Sequence, residues 1–241
     1  MTDYSKATMC FQPPSEGNHI TCVFENPTWR EKICGYPVAG ITGSNLCLLF
    51  HILRCMDSKF IEKFRGQLFR CRVCIVNGSQ AVYDSSDERA DGDYLKDVCN
   101  NSKLIKEALQ INDVERLVLC FGDRAELAVK KVMPACRFTK VYHLSGHALN
   151  GICQYDAMAK KYGLPEVMRG AMPLILIAEY IVNHYEADGF MEFSEFVKPF
   201  RSNGDGDFLK GTKRHNLDMV RLASVQCFRE YQCRKEGVSI H

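Results

Sequence analysis

RLVLCFGDRAE, residues 116–126, decides the fold class of this chain. Its opening run, RLVLCF, is short and apolar, which predicts a β-strand, and Gly122 ends that run. Asp123 and Glu126 follow with the Asp-x-x-Glu spacing of a capping box, so a helix is predicted to begin at Asp123. A strand that passes through one glycine into a helix is typical of α/β proteins.

The same order of strand, loop and helix recurs along the chain. Further strands are predicted at His19–Phe24, Arg72–Val76 and Phe138–His143. Further helices are predicted at Ser44–Asp57, with Ser44 as the N-cap, and at Phe60–Leu68 and Tyr94–Leu109. Short strands that alternate with helices pair in parallel through right-handed crossovers. We therefore predict a three-layer α/β/α sandwich around a central four-stranded parallel sheet.

The pattern changes to helices alone from about Gly151. Ala171–Tyr185 is apolar nearly all round, which predicts a buried helix, and Leu217–Tyr231 also has helical spacing. The glycine-rich, basic stretch at 201–216 between them predicts an exposed loop. We expect an α/β core over residues 1–150 and a helical C-terminal extension over 151–241 that packs on the core as part of one structural domain.

Composition limits the class of protein. The chain has 241 residues, of which 46% are hydrophobic, enough to bury a sizeable core. The formal net charge of +2 gives no overall basic character, although residues 198–241 hold nine Lys and Arg against five Asp and Glu. The most apolar run, Met172–Val182, is much shorter than the roughly 20 residues of a membrane span, so we expect no membrane association.

Thirteen cysteines are scattered along the chain, many of them inside apolar runs. Free cysteine in such runs packs as a small core residue, and a scattered set indicates a reducing compartment, so we expect a cytoplasmic protein. Cys71 and Cys74 form a close pair within a predicted strand region, without a second pair at zinc-site spacing. We expect no bound metal.

Unusual polar and glycine-rich segments follow the predicted strands. FENPTWREKICGYPVAGITGSN, residues 24–45, follows the first strand, Asn77 follows the second, and HLSGH, residues 143–147, follows the fourth. The carboxyl ends of parallel strands meet at one edge of a sheet, where α/β proteins bind ligands. The sequence therefore predicts a binding site at this edge.

These loops, taken in order over roughly residues 19–150, resemble the uracil-DNA glycosylase superfamily. One branch has a motif G-E-x-P-G and then P-F-V-G-x-A-G before a helix, and Phe24–Thr28 and Pro37–Gly43 lie at the matching separation. The family's second strand ends in an asparagine that reads the base edge, which Asn77 matches. Its fourth strand ends in His-Pro-Ser, which His143–Ser145 matches with leucine in place of proline.

The resemblance implies a monofunctional DNA glycosylase that flips out a base, hydrolyses its N-glycosidic bond and leaves an abasic site. Glu25 or Asn26 would position the attacking water beside a cation-like sugar, and which of the two does so stays open. His143 would donate a hydrogen bond to the departing base, and Asn77 would read the base edge. The base pocket would be completed by Tyr36, Val38 and Pro27.

The departures from the family pattern bear on the substrate and on cofactors. Val38 stands where that branch has a phenylalanine that stacks on uracil, which favours a bulkier modified base, such as those of some viral genomes, and suggests a role in antiviral defence. Cys10, Cys22, Cys34 and Cys99 do not reproduce the spacing of that branch's iron–sulfur ligands. We therefore expect no cofactor.

DNA is the expected partner of a monomeric protein, with the preference for single or double strands left open. Leu149 would fill the gap left by the flipped base, and glycines would let backbone N–H groups approach phosphates. The residues expected to contact DNA are Gly40, Gly43, Ser145, Gly146, His147, Leu149, Lys210, Lys213 and Arg214.

Each of these residues also has a purely structural interpretation, because Asn26-Pro27 and Asn77-Gly78 are common turn pairs. Two other functions stay open. The first is a nucleotide- or nucleoside-processing enzyme on a similar sheet, which the absence of G-x-G-x-x-G and G-x-x-x-x-G-K motifs makes less favourable. The second is a non-catalytic DNA-binding protein of the same fold.

Overall fold

A computed structural model describes residues 8–13, 20–56, 58–82, 91–110, 117–145, 148–149, 171–186 and 191–200. The contacts divide the chain into two compact units. The first unit comprises the described residues up to Ser44 together with Gly66–His143. The second comprises Asn45–Arg65 together with the described residues from Leu144 onwards. Residues 45–65 thus group with the C-terminal part of the chain.

The first unit contains a five-stranded mixed sheet. Its strands are β1 (Phe11–Gln12), β2 (Ile20–Phe24), β3 (Cys74–Asn77), β4 (Leu117–Phe121) and β5 (Thr139–Val141). Their order across the sheet is β1-β3-β2-β4-β5, with β1 antiparallel to β3 and the other neighbours parallel. The four predicted strands are confirmed, but the prediction of a purely parallel four-stranded sheet is wrong. The two residues of β1 are too few to show a periodic pattern in the sequence.

Eight α-helices have both ends within the described parts of the chain, and Ala148 and Leu149 are also helical. The eight helices are α1 (Trp29–Cys34), α2 (Ile41–Arg54), α3 (Lys59–Phe64), α4 (Asp91–Asn100), α5 (Ser102–Gln110), α6 (Asp123–Val132), α7 (Met172–Glu186) and α8 (Phe193–Val197), and a 3₁₀ turn, Lys198–Phe200, follows α8. The short helix α1 lies inside the stretch predicted to be an irregular loop. The predicted loop at 201–216 and the predicted helix Leu217–Tyr231 lie outside the described residues.

Several predicted helix boundaries need correction. Helix α2 begins at Ile41, so Ser44 lies in its first turn and is not the N-cap. Gly122, with φ of 100°, is the N-cap of α6, and Asp123 is the first helical residue. A positive φ favours glycine. The N-cap is therefore Gly122, one residue before Asp123, the N-cap that the Asp-x-x-Glu pattern predicted. The single helix predicted over Tyr94–Leu109 is two helices, α4 and α5, separated at Asn101.

Both faces of the sheet are buried. Val23, Val76 and Cys120 on one face pack with residues of α4, α5 and α6 in a single apolar cluster. Side chains of the opposite face are also buried, among them Cys22 and Leu119. Burial on both faces explains why the strands are continuously apolar in sequence, since each fully buried side chain of this kind contributes about 1.5–3 kcal/mol.

The second unit is organised around α7, whose prediction as a buried helix is confirmed. Tyr185 packs edge-on against the rings of Phe60 and Phe64. The backbone N–H of Phe60 donates to Glu186 Oε1 over 2.8 Å, which fixes the start of α3 to the end of α7. None of the helices in the described ranges combines the length and apolar character that crossing a membrane requires.

Candidate functional site

The parallel strands end level with one another. Phe24 pairs with Asn77, and Phe121 pairs with Val141. Val23 pairs with Cys120, which brings Phe24 level with Phe121. Directly paired residues point to the same face, and neighbouring strands lie about 4.8 Å apart, so this row spans roughly 14 Å across the sheet. It forms the carboxyl edge of the four parallel strands.

The polar residues singled out from the sequence continue directly from this row. Glu25 and Asn26 follow β2, Asn77 ends β3, and His143 stands two residues beyond the end of β5. All four belong to the first unit. The register therefore brings the predicted catalytic and base-reading residues to one edge of one sheet.

An aromatic pair lies beneath this edge. The rings of Phe24 and Phe121 are stacked, with centroids 4.6 Å apart and planes 8° from parallel. The imidazole of His143 meets Phe24 edge-on at 6.1 Å. Burial lowers the pKa of His143 below its ordinary value, and the charge of Glu25 partly opposes this shift. Burial therefore favours the neutral form of the imidazole, which carries one N–H.

Glu25 is fixed through both its backbone and its side chain. Its carbonyl oxygen accepts hydrogen bonds from the Ser79 N–H at 3.0 Å and the Tyr94 hydroxyl at 3.3 Å. Its carboxylate accepts a hydrogen bond from Arg124 Nη1 at 2.6 Å. The same guanidinium contacts Asp91 through Nε at 3.3 Å. Glu25 is thus a partly exposed carboxylate held in place by an arginine.

Arg124 was not predicted as a site residue, although the sequence contains a signal. It occupies the first turn of α6, where the helix dipole disfavours a cation. A basic residue in that position indicates a specific acidic partner. Which carboxylate it pairs with could not be read from the sequence, because Glu25 lies 99 residues away.

Asn26 and Pro27 form a local turn. The Asn26 Nδ2 group donates to the carbonyl oxygen of Pro27 at 3.2 Å, and Pro27 itself is buried. Asn26 is partly buried at the end of β2, beside the row described above. This position suits a residue that holds water near the strand ends, and the hydrogen bond to Pro27 also fits the purely structural interpretation.

Asn77 is fully buried, and its amide nitrogen is occupied. Nδ2 donates to the Met9 carbonyl at 3.1 Å and to Glu31 Oε1 at 3.4 Å. Its backbone carbonyl accepts from the side chain of Asn101 at 2.8 Å. Within the described parts of the chain, Asn77 Oδ1 has no hydrogen-bond donor. A buried acceptor without a donor costs about 1–3 kcal/mol, so its retention at this edge calls for an explanation.

Glu31 is a buried carboxylate that was not predicted as a site residue. Besides Asn77, it accepts hydrogen bonds from the backbone N–H groups of Thr28 and Val38, each at 2.5 Å. Burial, and then the charge of Glu31, raise the pKa of the Cys10 thiol to about 11. The signal in the sequence is Thr28-x-x-Glu31, a capping-box spacing at the start of α1.

The loop between α1 and α2 has a constrained backbone. Val38 has φ of 55°, which is rare for a β-branched residue, and it is buried. Arg70 Nη2 donates to the Pro37 carbonyl at 2.8 Å, and its guanidinium lies 5.1 Å from the ring centre of Tyr36, which is 38% exposed. A Cβ at Gly43 would overlap the Val38 carbonyl oxygen. Tyr36 therefore lies at the surface, whereas Val38 lies inside.

The remaining predicted DNA contacts are spread over both units. Gly40 and Gly43 lie at the start of α2 in the first unit, with φ of 94° at Gly40. Ser145 belongs to the second unit, where its Oγ accepts from the Ala148 N–H at 3.3 Å. Leu149 is fully buried, which does not suit a side chain that enters DNA. The other predicted contacts lie outside the described residues: Gly146, His147, Lys210, Lys213 and Arg214.

The described part of the chain contains no group of three or more His, Cys, Asp or Glu residues placed to hold a metal ion. In sequence comparisons, no protein-family model and no curated protein match the chain. The resemblance to the uracil-DNA glycosylase superfamily therefore stays a prediction based on the ordered motifs.

Proposed function

We propose that the protein is a monofunctional DNA glycosylase that removes a damaged or modified base and leaves an abasic site. The observation that carries this proposal is the common register of the strand ends. That register puts Glu25, Asn26, Asn77 and His143 at one edge of the sheet, within one unit. We propose further that the sheet is the middle layer of a three-layer, glycosylase-like sandwich, and that the protein acts on DNA as a monomer.

Breaking an N-glycosidic bond makes the sugar cation-like and the departing base negative, so it requires opposite groups on the two sides of the bond. Glu25 supplies a carboxylate for the sugar side, and Arg124 fixes its position. Glu25 would stabilise the cation-like sugar electrostatically, as carboxylates act in other glycoside hydrolyses. The Arg124 guanidinium holds the carboxylate in place and offsets part of its charge. Asn26, the next residue, then positions the water.

His143 acts on the base side. Its neutral imidazole donates a hydrogen bond to the base as negative charge develops there. Preorganised donors of this kind typically contribute about 2.7–4 kcal/mol to lowering the barrier. The stacked pair of Phe24 and Phe121 supports this arrangement, because Phe24 contacts the imidazole edge-on and limits its rotation.

A bulky modified base is the proposed substrate. Val38 stands where the resembling branch has a stacking phenylalanine, so this position lacks the flat aromatic surface that suits plain uracil. A base of viral DNA is one such substrate. The motif comparison and the small side chain of Val38 are the support for this part of the proposal.

The test is an excision assay on single- and double-stranded oligonucleotides that carry uracil, hypoxanthine or modified cytosines, followed by hot alkali to cleave abasic positions. We expect cleavage with the wild-type chain. His143→Ala is expected to lower the rate roughly 100- to 1000-fold. Lys106→Ala, on the exposed face of α5, is the matched control and is expected to keep the wild-type rate.

No cleavage of any oligonucleotide, even with protein in excess, would overturn the proposed activity. Wild-type rates in both His143→Ala and the double variant Glu25→Ala/Asn26→Ala would overturn the residue assignments but leave the activity in place.

A specific observation favours a second candidate, a non-catalytic DNA-binding protein of this fold. The Glu25 carboxylate is engaged by Arg124, and the Asn77 amide nitrogen is engaged by Met9 and Glu31. The same assay separates the two candidates, because a binding protein retains oligonucleotides in a filter or anisotropy measurement without producing abasic sites.

A further inference from the structure

We infer that Glu31 is a positioning residue that leaves Asn77 able only to accept a hydrogen bond, and that the site therefore selects bases with an exocyclic amino group over the corresponding oxo bases. This inference rests on the proposed glycosylase function. It names the substrate class as cytosine-type or adenine-type bases.

The first step is the orientation of the Asn77 side chain. Two acceptors, the Met9 carbonyl and Glu31 Oε1, lie on the same side of the amide, at 3.1 and 3.4 Å from Nδ2. A reversed amide would turn its oxygen towards both acceptors, one of which is a carboxylate. Such a contact is repulsive, so the nitrogen must face Met9 and Glu31.

The second step is the rigidity of Glu31 itself. Its two carboxylate oxygens are held separately, Oε2 by the Thr28 N–H and Oε1 by the Val38 N–H. Thr28 is the N-cap of α1, and Val38 lies in the constrained loop that precedes α2. Glu31 is therefore fixed from two elements and cannot rotate away from Asn77 without breaking backbone hydrogen bonds.

The third step concerns the hydrogen-bonding group of Asn77 that is still available to a base. Both of its N–H bonds are used, so only Oδ1 is left, and within the described residues this atom has no donor. An amino group of cytosine or adenine supplies the N–H that Oδ1 lacks. Uracil and hypoxanthine can offer Oδ1 only a ring N–H, and their oxo group then finds no donor on Asn77 and faces the Glu31 carboxylate. In a buried site, such a mismatch is strongly disfavoured.

The burial of Asn77 and Glu31 does not affect the comparison between amino and oxo bases. Asn77 and Glu31 are both buried, so a base reaches them only when neighbouring residues move. The cost of that movement is the same for two bases that differ only in an amino or an oxo group. It therefore cancels in their ratio, which is the quantity to measure.

The test uses matched pairs of bases in otherwise identical oligonucleotides: cytosine with uracil, 5-hydroxymethylcytosine with 5-hydroxymethyluracil, and adenine with hypoxanthine. Uracil leaves more readily than cytosine for intrinsic reasons, so affinities are compared instead of rates. In single-turnover excision by the wild-type chain, the half-saturating protein concentration is expected to be at least about tenfold lower for the amino member of the pair that is accepted. Equal half-saturating concentrations, or a lower one for the oxo member, would overturn the inference while leaving the glycosylase function standing.

Glu31→Gln tests the positioning role. Its side chain keeps the size of glutamate but loses the charge and one acceptor, so Asn77 can reverse, and the amino-to-oxo ratio is expected to fall about tenfold. Glu62→Gln, at an exposed position of α3, is the control and keeps the ratio. An unchanged ratio in folded Glu31→Gln would refute the positioning role. The wild-type ratio decides base selection even if this variant fails to fold.

A complete lack of excision would refute the proposed function, and the inference is then decided by binding alone. In ¹⁵N NMR titrations of the wild-type chain with deoxycytidine, deoxyuridine, deoxyadenosine and deoxyinosine, an amino nucleoside is expected to bind at least about tenfold more tightly than its oxo counterpart and to shift the Asn77 side-chain signals. Equal affinities, tighter binding of an oxo nucleoside, or no binding of any nucleoside would overturn it.

Discussion

Arg124 Nη1 lies 2.6 Å from Glu25 Oε1, so a residue in the first turn of α6 fixes the carboxylate that follows β2. The two side chains are 24% and 32% exposed. A pair with this exposure contributes little to stability, at most about 1 kcal/mol. Its main effect is to orient Glu25.

Arg124→Met is therefore expected to affect activity more than stability. We predict a loss of at most about 1 kcal/mol in the free energy of unfolding, measured with urea, because the exposed pair is weak and the helix dipole disfavours a cation there. The single-turnover excision rate should fall roughly tenfold or more, since a misplaced Glu25 no longer faces the sugar. Lys96→Met, which removes an exposed pair on α4, is the control. An unchanged rate in Arg124→Met would show that Glu25 has no role in its present position.

The buried imidazole of His143 should make stability depend on pH. Burial lowers the pKa of His143 in the folded state, so the unfolded chain takes up a proton more readily. The stabilisation is fully present above the unfolded pKa of about 6.5 and is lost as the pH falls towards the lower folded value. The pKa of His184 is also lowered, and this residue contributes in the same direction.

Urea unfolding at several pH values between about 7 and 5 tests this prediction for His143. The free energy of unfolding should fall less steeply with decreasing pH in His143→Gln than in the wild-type chain. His184→Gln serves as the comparison, because it removes the second contribution and leaves the first. Identical slopes for wild type and His143→Gln would contradict the burial of a neutral imidazole.

Gly43 should not tolerate a side chain. Alanine is favoured over glycine inside a helix by about 1 kcal/mol, but a Cβ at this position overlaps the Val38 carbonyl oxygen. We expect the overlap to dominate, so that Gly43→Ala lowers the free energy of unfolding by about 1–3 kcal/mol. Gly66→Ala is the matched control, because a Cβ there meets no atom within 4 Å. Equal stability of the two variants would rule out the close approach at Gly43.

Of the apolar residues near the site, the stacked phenylalanines should be those whose truncation lowers the free energy of unfolding most. Phe121 is fully buried, and Phe121→Ala is expected to cost about 3–5 kcal/mol in thermal or urea unfolding. Phe69, which is 39% exposed, provides the control, and Phe69→Ala should cost less than about 1 kcal/mol. A small cost at Phe121 would mean that the ring pair at 4.6 Å is not formed in solution.

The strands that carry the site could be predicted to within two residues at each end, because they are buried on both faces and read as continuous apolar runs. The two-residue strand β1 could not be predicted, since its place is set by pairing with β3 and not by its own pattern. Helix α1 was missed although Thr28-x-x-Glu31 and Gly35, with φ of 73°, mark its two ends. The prolines and glycines around it pointed to a loop instead.

The break between α4 and α5 has a tertiary cause. Asn101 lies between the two helices, and its side chain donates to the Asn77 carbonyl. Local propensity gives no hint of this contact, which joins residues 24 positions apart. The same reason limits how much of the site could be predicted. Asn77 and His143 were found because they lie at the ends of predicted strands, whereas Glu31 was missed because its contact with Asn77 joins residues 46 positions apart.

The three cysteines of the central strands report on the integrity of the sheet. Burial raises the pKa of Cys74 to about 12 and raises those of Cys22 and Cys120 well above the ordinary value. Alkylating reagents attack the thiolate, so these three sulfurs stay inert while the sheet is closed, whereas the exposed Cys34, Cys71 and Cys99 are accessible. Pulsed alkylation read by mass spectrometry would thus time the opening of the strands next to Asn77 without any engineered label.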